Sequence, residues 1–404
     1  MKTSLKFLFI IPAVAFILAS CEGPQGSPGK DANENCIKCH NPEKVTAKVT
    51  EFEHSLHFTG EAFEEGTRSG CAPCHSHQGF TYVVKNNTPA TFTLPASATK
   101  YVNDYDMGTT NAVLPGKMNC FTCHSSLHTT YTEDNFMPLT TTAAVPMTMY
   151  GGAKTINFAK TSSNLCAKCH QPRPITKSSD SNVIDYTVLV SNPNGTFNQA
   201  SLSYRTGIHY GAQGAMVAGV GGIEFGTGYS NSAHTTNASC ASCHMASPSF
   251  LSGGHSFSVY DEYGATISAS SGGPKPYNFN GCNVSGCHTS MSYTSTTFTN
   301  VVADIQTKVD QLAAKINAIG AGHDLLQKDP TDNKYHGYLD FYDATSNPTG
   351  YWKNPNLGNV SFPTITNAQF GAIINFQLVV RGGGLGIHNY TYIKKLLENT
   401  LAAW

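Results

Sequence analysis

Twelve cysteines of this chain form six pairs, and a histidine directly follows the second cysteine of each pair. Five pairs have two intervening residues and the last has four. We number the units sites 1 to 6 in chain order: Cys36–Cys39–His40, Cys71–Cys74–His75, Cys120–Cys123–His124, Cys166–Cys169–His170, Cys240–Cys243–His244 and Cys282–Cys287–His288. Histidine makes up only 16 of 404 residues, so chance does not explain six such histidines. The units need a chemistry that uses two thiols and an adjacent imidazole.

Cys-x-x-Cys-His is the attachment signature of c-type haem. Two thiols add to the two vinyl groups on one porphyrin edge, and the next residue then lies beneath the iron as its proximal ligand. Disulfides and zinc sites are the alternatives, but neither requires the histidine. The sequence therefore predicts six covalently bound haems, with site 6 as a rarer variant that has a longer spacer.

Ten histidines remain to supply the second, distal ligand of each iron. They are His54, His57, His77, His128, His209, His234, His255, His323, His336 and His388. Two imidazoles on one iron give a low-spin centre that changes redox state with little rearrangement and leaves no place for a substrate. The supply of histidines is sufficient for six closed haems.

Three stretches resemble the multihaem cytochrome c superfamily, which includes cytochrome c nitrite reductase, hydroxylamine oxidoreductase and octahaem tetrathionate reductase. They are "TEFEHSLHFTG", "YSNSAHTTNASCASCHM" and "GGGLGIHNYTYIKKLLENTL". In that family, a Ser-x-His upstream of a haem site and a Gly-x-His-Asn near the chain end supply distal ligands. The resemblance implies that His57, His234 and His388 are distal ligands.

For the other distal positions the sequence favours His128, His209 and His255. His128 follows His124 by four residues and must serve a neighbouring iron, while His209 lies in "RTGIHYGAQGAM" at the start of a predicted helix. His255 lies in "SGGHSF", and it and His234 are predicted to close two different irons. A hydrogen-bonded structural histidine is the alternative for these three. That role is favoured for the four remaining histidines, which are His54, His77, His323 and His336.

The chain also departs from the family. Nitrite reductases have one haem site that ends in lysine, whereas every unit here ends in histidine. No tyrosine can be assigned by motif to a porphyrin cross-link of the hydroxylamine oxidoreductase kind. The resemblance therefore implies haem binding more firmly than an activity, and no catalytic residue is predicted.

The N-terminus has the pattern of an export signal. Lys2 and Lys6 precede an apolar stretch from Phe7 to Ala19, and "LASC" ends at Cys21, the odd one of 13 cysteines. This pattern resembles a bacterial lipoprotein signal and predicts acylation of Cys21, with an ordinary secretory signal as the alternative. Residues 1–20 are therefore predicted to be a signal peptide, and the Gly/Pro-rich residues 21–34 a flexible tether.

Residues 35–298 are predicted to form the hexahaem-binding region and residues 299–404 a helical C-terminal region. The predicted fold class is mainly α with long loops, especially between Gln171 and Ser239, and little regular β structure. Charged residues are 13% of the chain and the net charge is −1, which argues against a nucleic-acid partner. With so few other packing residues in the loops, covalent haems are expected to form the core.

The clearest helix lies in the C-terminal region. Ile305, Val309, Leu312, Ile316 and Ile319 form an apolar stripe. Asn300 is the predicted N-cap, and Gly320 and Gly322 the predicted end. Further helices are predicted over 367–381 and from residue 389, with packing inside the chain or a contact between subunits as alternatives. The aromatic-rich segment 334–356 is predicted to be a loop.

These features favour an electron carrier over an enzyme. The predicted protein is a lipid-anchored outer-membrane cytochrome on the periplasmic or cell-surface side, which exchanges electrons with other cytochromes or quinol-linked donors. The alternatives are a reductase or oxidoreductase of a nitrogen or sulfur compound with one open haem, and a subunit of an extracellular cytochrome filament. The sequence does not decide whether the chain forms a homo-oligomer.

Overall fold

A computed structural model of the protein describes residues 41–87, 92–93, 102–103, 116–125, 137–175, 184–197, 206–260, 277–320, 324–329, 332–339 and 364–404. The chain divides into two compact units. Residues 41–47 and 137–138 are the described part of the first, and the second contains the other described residues, including sites 2 to 6. Site 1, Cys21, His128, His323 and the predicted signal and tether lie outside the described residues.

The described residues are mainly helical, as predicted. The helices are α1 (Pro42–Glu53), α2 (Leu56–Thr59), α3 (Ala72–His75), α4 (His77–Asn86), α5 (Cys120–Cys123), α6 (Ser163–Ala167), α7 (Tyr186–Ser191), α8 (Gln213–Ala218), α9 (His234–Asn237), α10 (Cys240–His244), α11 (Thr296–Ile319), α12 (Asn367–Gly382) and α13 (Tyr390–Ala402). Short 3₁₀ segments cover Glu61–Thr67, Thr148–Tyr150 and Gly254–Ser256. None of the helices in the described ranges is both long and apolar enough to cross a membrane.

The β structure of these ranges consists of two-stranded antiparallel pairs. The strands are β1 (Phe92–Thr93) with β2 (Val102–Asn103), β3 (Val145–Pro146) with β4 (Thr155–Ile156), and β5 (Leu326–Asp329) with β6 (Lys334–Leu339). The last pair aligns Leu326 with Leu339 and Asp329 with Lys334, with an irregularity between Leu326 and Lys328. The prediction of little regular β structure is confirmed for the part of the chain that the structure describes.

Helix α12 lies at the centre of the main hydrophobic core. It packs against α7, α11, α13 and β6. Its apolar side chains are buried around the whole helix, as expected for a helix with neighbours on all sides. Phe370 stacks on Phe197 with ring centroids 3.9 Å apart, which joins this helix to the segment after α7.

The stripe on α11 is covered inside the chain. Ile305, Val309, Leu312 and Ile316 are at most 1% exposed, and α11 packs against α12 and α13. Burying each such side chain contributes roughly 1.5–3 kcal/mol. The predicted packing role is therefore confirmed.

The predicted ends of the C-terminal helices are mostly correct. Helix α11 ends at the predicted Gly320, and Asn389 caps α13 by accepting a hydrogen bond from the Tyr392 N–H. The predicted Asn300 cap is wrong because α11 already begins after Ser295. The Ser295 hydroxyl accepts a hydrogen bond from the Ser292 N–H at 2.7 Å, which orders the preceding turn and lets the helix start earlier.

Two predicted loops are wrong in part. Residues 334–339 form β6, because Gly337 and Leu339 face the core while the strand pairs with β5. Part of the 171–239 segment is core rather than surface, with Ile208 at 0% and Phe225 at 4% exposure. Glycines explain the second error, since a Cβ on Gly371 of α12 would lie 2.6 Å from Phe225. This segment is buried because glycines let the backbones approach closely. It therefore lacks the regular apolar pattern from which burial is predicted.

The described part of the chain before site 3 buries few apolar side chains. From residue 41 to residue 87, Ala72 and Phe80 are the apolar side chains in the buried core, whereas Leu56 is 84% exposed and Phe58 39% exposed. Apolar surface is thus left uncovered beside the cysteine–histidine units. This is the region where haem is predicted to replace side chains as packing material.

Candidate haem-binding sites

Sites 2 to 5 each lie on or beside one helical turn. The proximal histidine N–H donates to the carbonyl of the first cysteine, at 3.0 Å for His75, 2.9 Å for His124 and 2.9 Å for His170, while site 5 lies within α10. Residues three apart share a helix face, so both thiols point the same way. The local fold thus presents two sulfurs toward one edge of a planar group.

Local capping explains why these turns form. In site 3 the Asn119 side chain accepts from the Phe121 N–H, and the Thr122 hydroxyl accepts from the Asn119 backbone N–H at 3.0 Å to complete a capping box. In site 5, Ser239 and Ser242 form the same arrangement. A polar residue directly before the first cysteine is therefore the sequence signal that starts the helical turn.

Site 6 reaches the same geometry despite its longer spacer. The His288 N–H donates to the Cys282 carbonyl at 3.0 Å, the same pair of groups as in the two-spacer units. The extra residues bulge outward, where Gly286 adopts φ +84° with open space around it. The two thiols and the imidazole are thus joined as in the other sites.

Each described proximal histidine faces one predicted distal histidine. The ring-centroid separations are 5.9 Å for His75–His209, 6.3 Å for His124–His255, 6.0 Å for His170–His57, 6.3 Å for His244–His388 and 6.2 Å for His288–His234. Five of the six predicted distal residues are therefore brought to five different proximal ones. His128 lies outside the described residues.

These separations fit an iron between the rings. Metal–imidazole nitrogen bonds of about 2.0 Å on both sides of one ion place the two ring centroids roughly 6 Å apart. Aromatic rings that pack directly on each other can also have this centroid separation. The support for an iron site is that the same separation recurs between the two histidines of every described site. The residues present therefore fit a bis-imidazole haem.

Hydrogen bonds at the far side of the rings support the fit. The Nδ1 atoms of His170, His244 and His234 lie 3.0, 2.8 and 3.0 Å from an amide or carbonyl oxygen, so each of these nitrogens carries the proton. The acceptors are Gln213 Oε1, the Phe257 carbonyl and the Ile387 carbonyl. The other nitrogen, Nε2, is then free of its proton and able to bind a metal.

His209 is positioned by two polar residues of α12. Gln377 accepts from the Ile208 N–H at 3.1 Å and donates to the Gly337 carbonyl at 2.7 Å. Arg381 donates to the Ile208 and Gly337 carbonyls. These buried groups anchor the segment next to His209, and their loss would leave buried carbonyls without partners.

Asn389 connects the predicted distal histidines of two sites, His234 and His388. Its side chain is fully buried; Oδ1 accepts from the Ser232 N–H at 2.9 Å and Nδ2 donates to the Val217 carbonyl at 3.1 Å. Ser232 precedes His234 by two residues, and His388 directly precedes Asn389. The Gly-x-His-Asn and Ser-x-His motifs are therefore one physical unit.

The other Ser-x-His motif acts locally. Ser55 is buried and caps α2, because its hydroxyl accepts from the Phe58 N–H at 3.2 Å. His57 is the second residue of that helix and its ring lies 5.1 Å from the Phe257 ring. The serine thus fixes the helix that carries the ligand.

Burial keeps distal rings neutral. The pKa of His209 is lowered to about 4, mainly because the ring is buried away from water and secondly because the positive charge of Arg173 lies nearby. Loss of solvent also lowers the pKa of His388 to about 4, with a further contribution from His244. Iron binds the deprotonated imidazole nitrogen, so both residues are prepared for a metal at neutral pH.

Sites 2, 4 and 5 touch through their cysteines. The Cys74 and Cys169 thiols approach each other, and each also approaches a carbonyl of the other unit at 3.8 and 4.0 Å. Cys166 of site 4 meets Cys240 of site 5, and this contact and burial raise the pKa of the Cys166 thiol. Site 4 therefore lies between sites 2 and 5.

Sites 3 and 6 are joined to this group. His77, two residues after His75, places Nδ1 2.9 Å from the Thr122 hydroxyl of site 3. Gly281 precedes site 6 and lies so close to site 5 that a Cβ there would be 2.9 Å from the Cys243 Cα. Contacts thus connect site 3 to site 2, and they connect sites 2, 4, 5 and 6 in that order.

The described histidines outside the pairs have other surroundings. His77 contacts Thr122 as above, and His336 Nε2 lies 3.0 Å from an Asp332 oxygen. His54 is exposed in the turn after α1. None of the ten described cysteines forms a disulfide.

Sequence reasoning missed the residues that hold the ligands in place. Glu51, Gln377 and Arg381 lie far along the chain from the histidines or carbonyls they contact, and Phe257 lies far from His57. Asn389, Ser55 and Ser232 are within the recognised motifs. For the others no local pattern marks the contact.

Comparisons with known proteins give little. No model of a known protein family matches the chain, and no curated protein matches it. The crystal structure of the outer cell wall cytochrome OcwA matches with a TM-score of 0.44 and 17% identity. The match covers 88% of this chain and 50% of OcwA, so the chain spans half the length of that protein. The function is therefore argued from the residues of this chain.

Proposed function

We propose that the protein is an exported hexahaem c-type cytochrome that passes electrons one at a time along adjacent haem sites. The observation that carries this proposal is the set of five proximal–distal histidine pairs, each with ring centroids 5.9–6.3 Å apart. With haem bound, such a pair of histidines would hold its iron and would leave no place there for a substrate.

The residues of the chain supply attachment, orientation and electrostatics. Haem, when bound, supplies an iron that takes up and releases one electron. The cysteines tether the group, the paired imidazoles hold it from both sides, and the Nδ1 acceptors fix the ring planes. No acid–base pair is needed for electron transfer.

The contacts between sites support transfer along the chain of haems. The units of sites 2, 4 and 5 meet through Cys74–Cys169 and Cys166–Cys240, and Phe257 adds further contacts. The Phe257 ring lies 5.1 Å from that of His57 and 5.9 Å from that of His255, and its carbonyl accepts from His244. Residues belonging to sites 3, 4 and 5 therefore converge on one side chain.

The sixth pair is proposed by elimination. Five of the predicted distal histidines face the proximal histidines of sites 2 to 6, which leaves His128 for His40 of site 1. An enzyme with an open haem and a filament with a ligand from a second chain both require a site that this chain does not close. Site 1 is where either would be sought.

The test uses the purified full chain. We expect an intact mass equal to the processed polypeptide plus six haems, and electron paramagnetic resonance spectra of the oxidised protein with low-spin signals only. A high-spin signal in about one haem of six would replace the carrier by the open-haem enzyme. A colourless protein, with its thiols as cystines or bound to zinc, would end the proposal.

We also propose that Cys21 carries the lipid that attaches the protein to the outer membrane. The support is the signal pattern that ends at Cys21 together with the absence of this cysteine from the six haem units. On the periplasmic or cell-surface side, such a protein would exchange electrons with other cytochromes or quinol-linked donors.

Replacing Cys21 with serine should release the protein from membranes without loss of haem, because the acylated thiol is removed while the twelve haem cysteines remain. Fractionation followed by haem staining measures this. Wild-type protein is the control, and continued membrane attachment of Cys21→Ser would refute the lipid anchor.

A further inference from the structure

The distal histidine of site 3 has a carboxylate behind it. Glu51, on α1, places Oε2 3.4 Å from His255 Nδ1 and accepts a hydrogen bond from the His255 backbone N–H at 2.8 Å. This Nδ1 atom is buried and makes no hydrogen bond within the described residues. The Glu51 side chain is only 19% exposed, so water screens its charge weakly.

The backbone is shaped to admit this carboxylate. Gly254 adopts φ +54°, and a Cβ at that position would collide with Glu51 Oε2. Gly253 is also in the left-handed region, with φ +82°. Gly254 therefore has a physical role, which is to let Glu51 reach the N–H and ring of His255, whereas Gly253 is packed against Ala246 and Asn278.

The carboxylate is held in its charged form. Lys48 Nζ lies 2.7 and 2.9 Å from the two Glu51 oxygens. The Lys48 ammonium and the His255 backbone N–H both donate to this carboxylate, and such donors stabilise its ionised form. The Lys48 side chain is 51% exposed, so water screens its positive charge and Lys48 offsets the negative charge of Glu51 only in part.

Sites 4, 5 and 6 offer a contrast inside the same protein. The Nδ1 atoms of His170, His244 and His234 meet a neutral amide or carbonyl oxygen. At His255 the nearby oxygen is charged. A carboxylate behind a ligating imidazole makes the ring a stronger electron donor and favours the more positive metal.

We propose that Glu51 lowers the reduction potential of the haem held by Cys120 and Cys123, and so makes site 3 a donor toward its neighbours. The inference rests on the proposed function, since it takes His124 and His255 as axial ligands. Residues His124, His255, Cys120 and Cys123 would hold the haem, whose iron would accept one electron from a redox partner or adjacent site and pass the same electron on. No bond or proton transfer is involved.

The experiment compares potentials of the haem-loaded full chain. In Glu51→Gln, one haem of six should shift upward, with a roughly tenfold change in its reduced-to-oxidised ratio, or about 59 mV. Spectroelectrochemical titration measures the shift. The shifted haem is assigned as the one whose low-spin signal disappears in His255→Ala. Glutamine keeps the size of the side chain and an acceptor for the His255 N–H, so the low-spin spectrum should not change.

Two further variants separate charge from structure. Glu53→Gln removes the same charge from an exposed position of the same helix and should leave every potential in place. Lys48→Met removes the compensating cation and should move the potential of site 3 downward, opposite to Glu51→Gln. A purely structural role of Glu51 does not predict opposite signs.

The outcomes distinguish this inference from the proposed function. If Glu51→Gln retains six low-spin haems with unchanged potentials, the inference is overturned and the proposed function stands. If the wild-type protein lacks low-spin haem, the proposed function fails first. Should Glu51→Gln not fold, Lys48→Met decides: a downward shift supports the inference and an unchanged potential overturns it.

Discussion

Replacing His388 with alanine is expected to convert one haem in six from low-spin to high-spin while all six remain attached. The reason is that the His388 ring is stacked parallel to that of His244, 6.3 Å away, whereas the covalent attachment of site 5 depends on Cys240 and Cys243. Electron paramagnetic resonance gives the spin state and intact mass gives the haem count.

His54→Ala is the matched control, because His54 is an exposed histidine that faces no proximal ring among the described residues. Its spectrum should equal that of the wild-type protein. Added imidazole should restore the low-spin signal in His388→Ala, since the cavity left by the ring can admit a free imidazole. An unchanged spectrum of His388→Ala would remove His388 from the ligands.

The variant is informative because the His388 site is rigid. A Cβ on Gly384 would lie 2.9 Å from His388 Nδ1, and on the other side Asn389 anchors the chain through the 216–232 segment. Two further histidines near His388, His170 and His234, each face a partner at another site. The loss of one ring should thus appear as the loss of one ligand.

Sequence patterns predicted what is local. The cysteine–histidine units are visible because attachment needs fixed spacing, and the helices of the C-terminal region because an apolar stripe must face a core. Helix α12, predicted over 367–381, spans Asn367–Gly382. The Ser-x-His motif at Ser55 and the Gly-x-His-Asn motif were informative because each joins a helix cap to a predicted ligand within three residues.

What the sequence could not predict depends on distance along the chain. His57 faces His170 and His234 faces His288, and no spacing rule relates these partners. The contact between Glu51 and His255 joins residues 204 positions apart. Burial of the glycine-rich segments was also missed. Close packing of their backbones does not require apolar residues at regular spacing, so the sequence shows no periodic pattern there.

The order of contacts between sites gives the second large expected effect. Site 4 touches site 2 through Cys169 and site 5 through Cys166. Replacing His57 with methionine should keep the haem of site 4 low-spin but raise its potential, because histidine–methionine ligation favours the reduced iron. Each 59 mV of increase holds the electron there about tenfold more strongly. Spectroelectrochemical titration should show one haem displaced upward.

Methionine ligation also marks when an electron arrives, through its sulfur-to-iron absorption band. A photosensitiser attached at Lys85→Cys, on the exposed end of α4 beyond site 2, injects one electron per flash. In His57→Met the band should change early, at the central site. In the matched variant His234→Met, which places methionine at site 6, the same change should come several times later because the electron must also cross sites 4 and 5.

The comparison tests the path because both variants introduce the same ligand and a similar driving force. Arrival at site 6 before or together with arrival at site 4 would contradict the contact order 2–4–5–6 and would require a direct route that bypasses Cys166 and Cys169. The expected delay follows from the contacts Cys74–Cys169 and Cys166–Cys240, which place the helical turn of site 4 between those of sites 2 and 5. The arrangement of the cysteines would then determine the direction in which charge spreads through the protein.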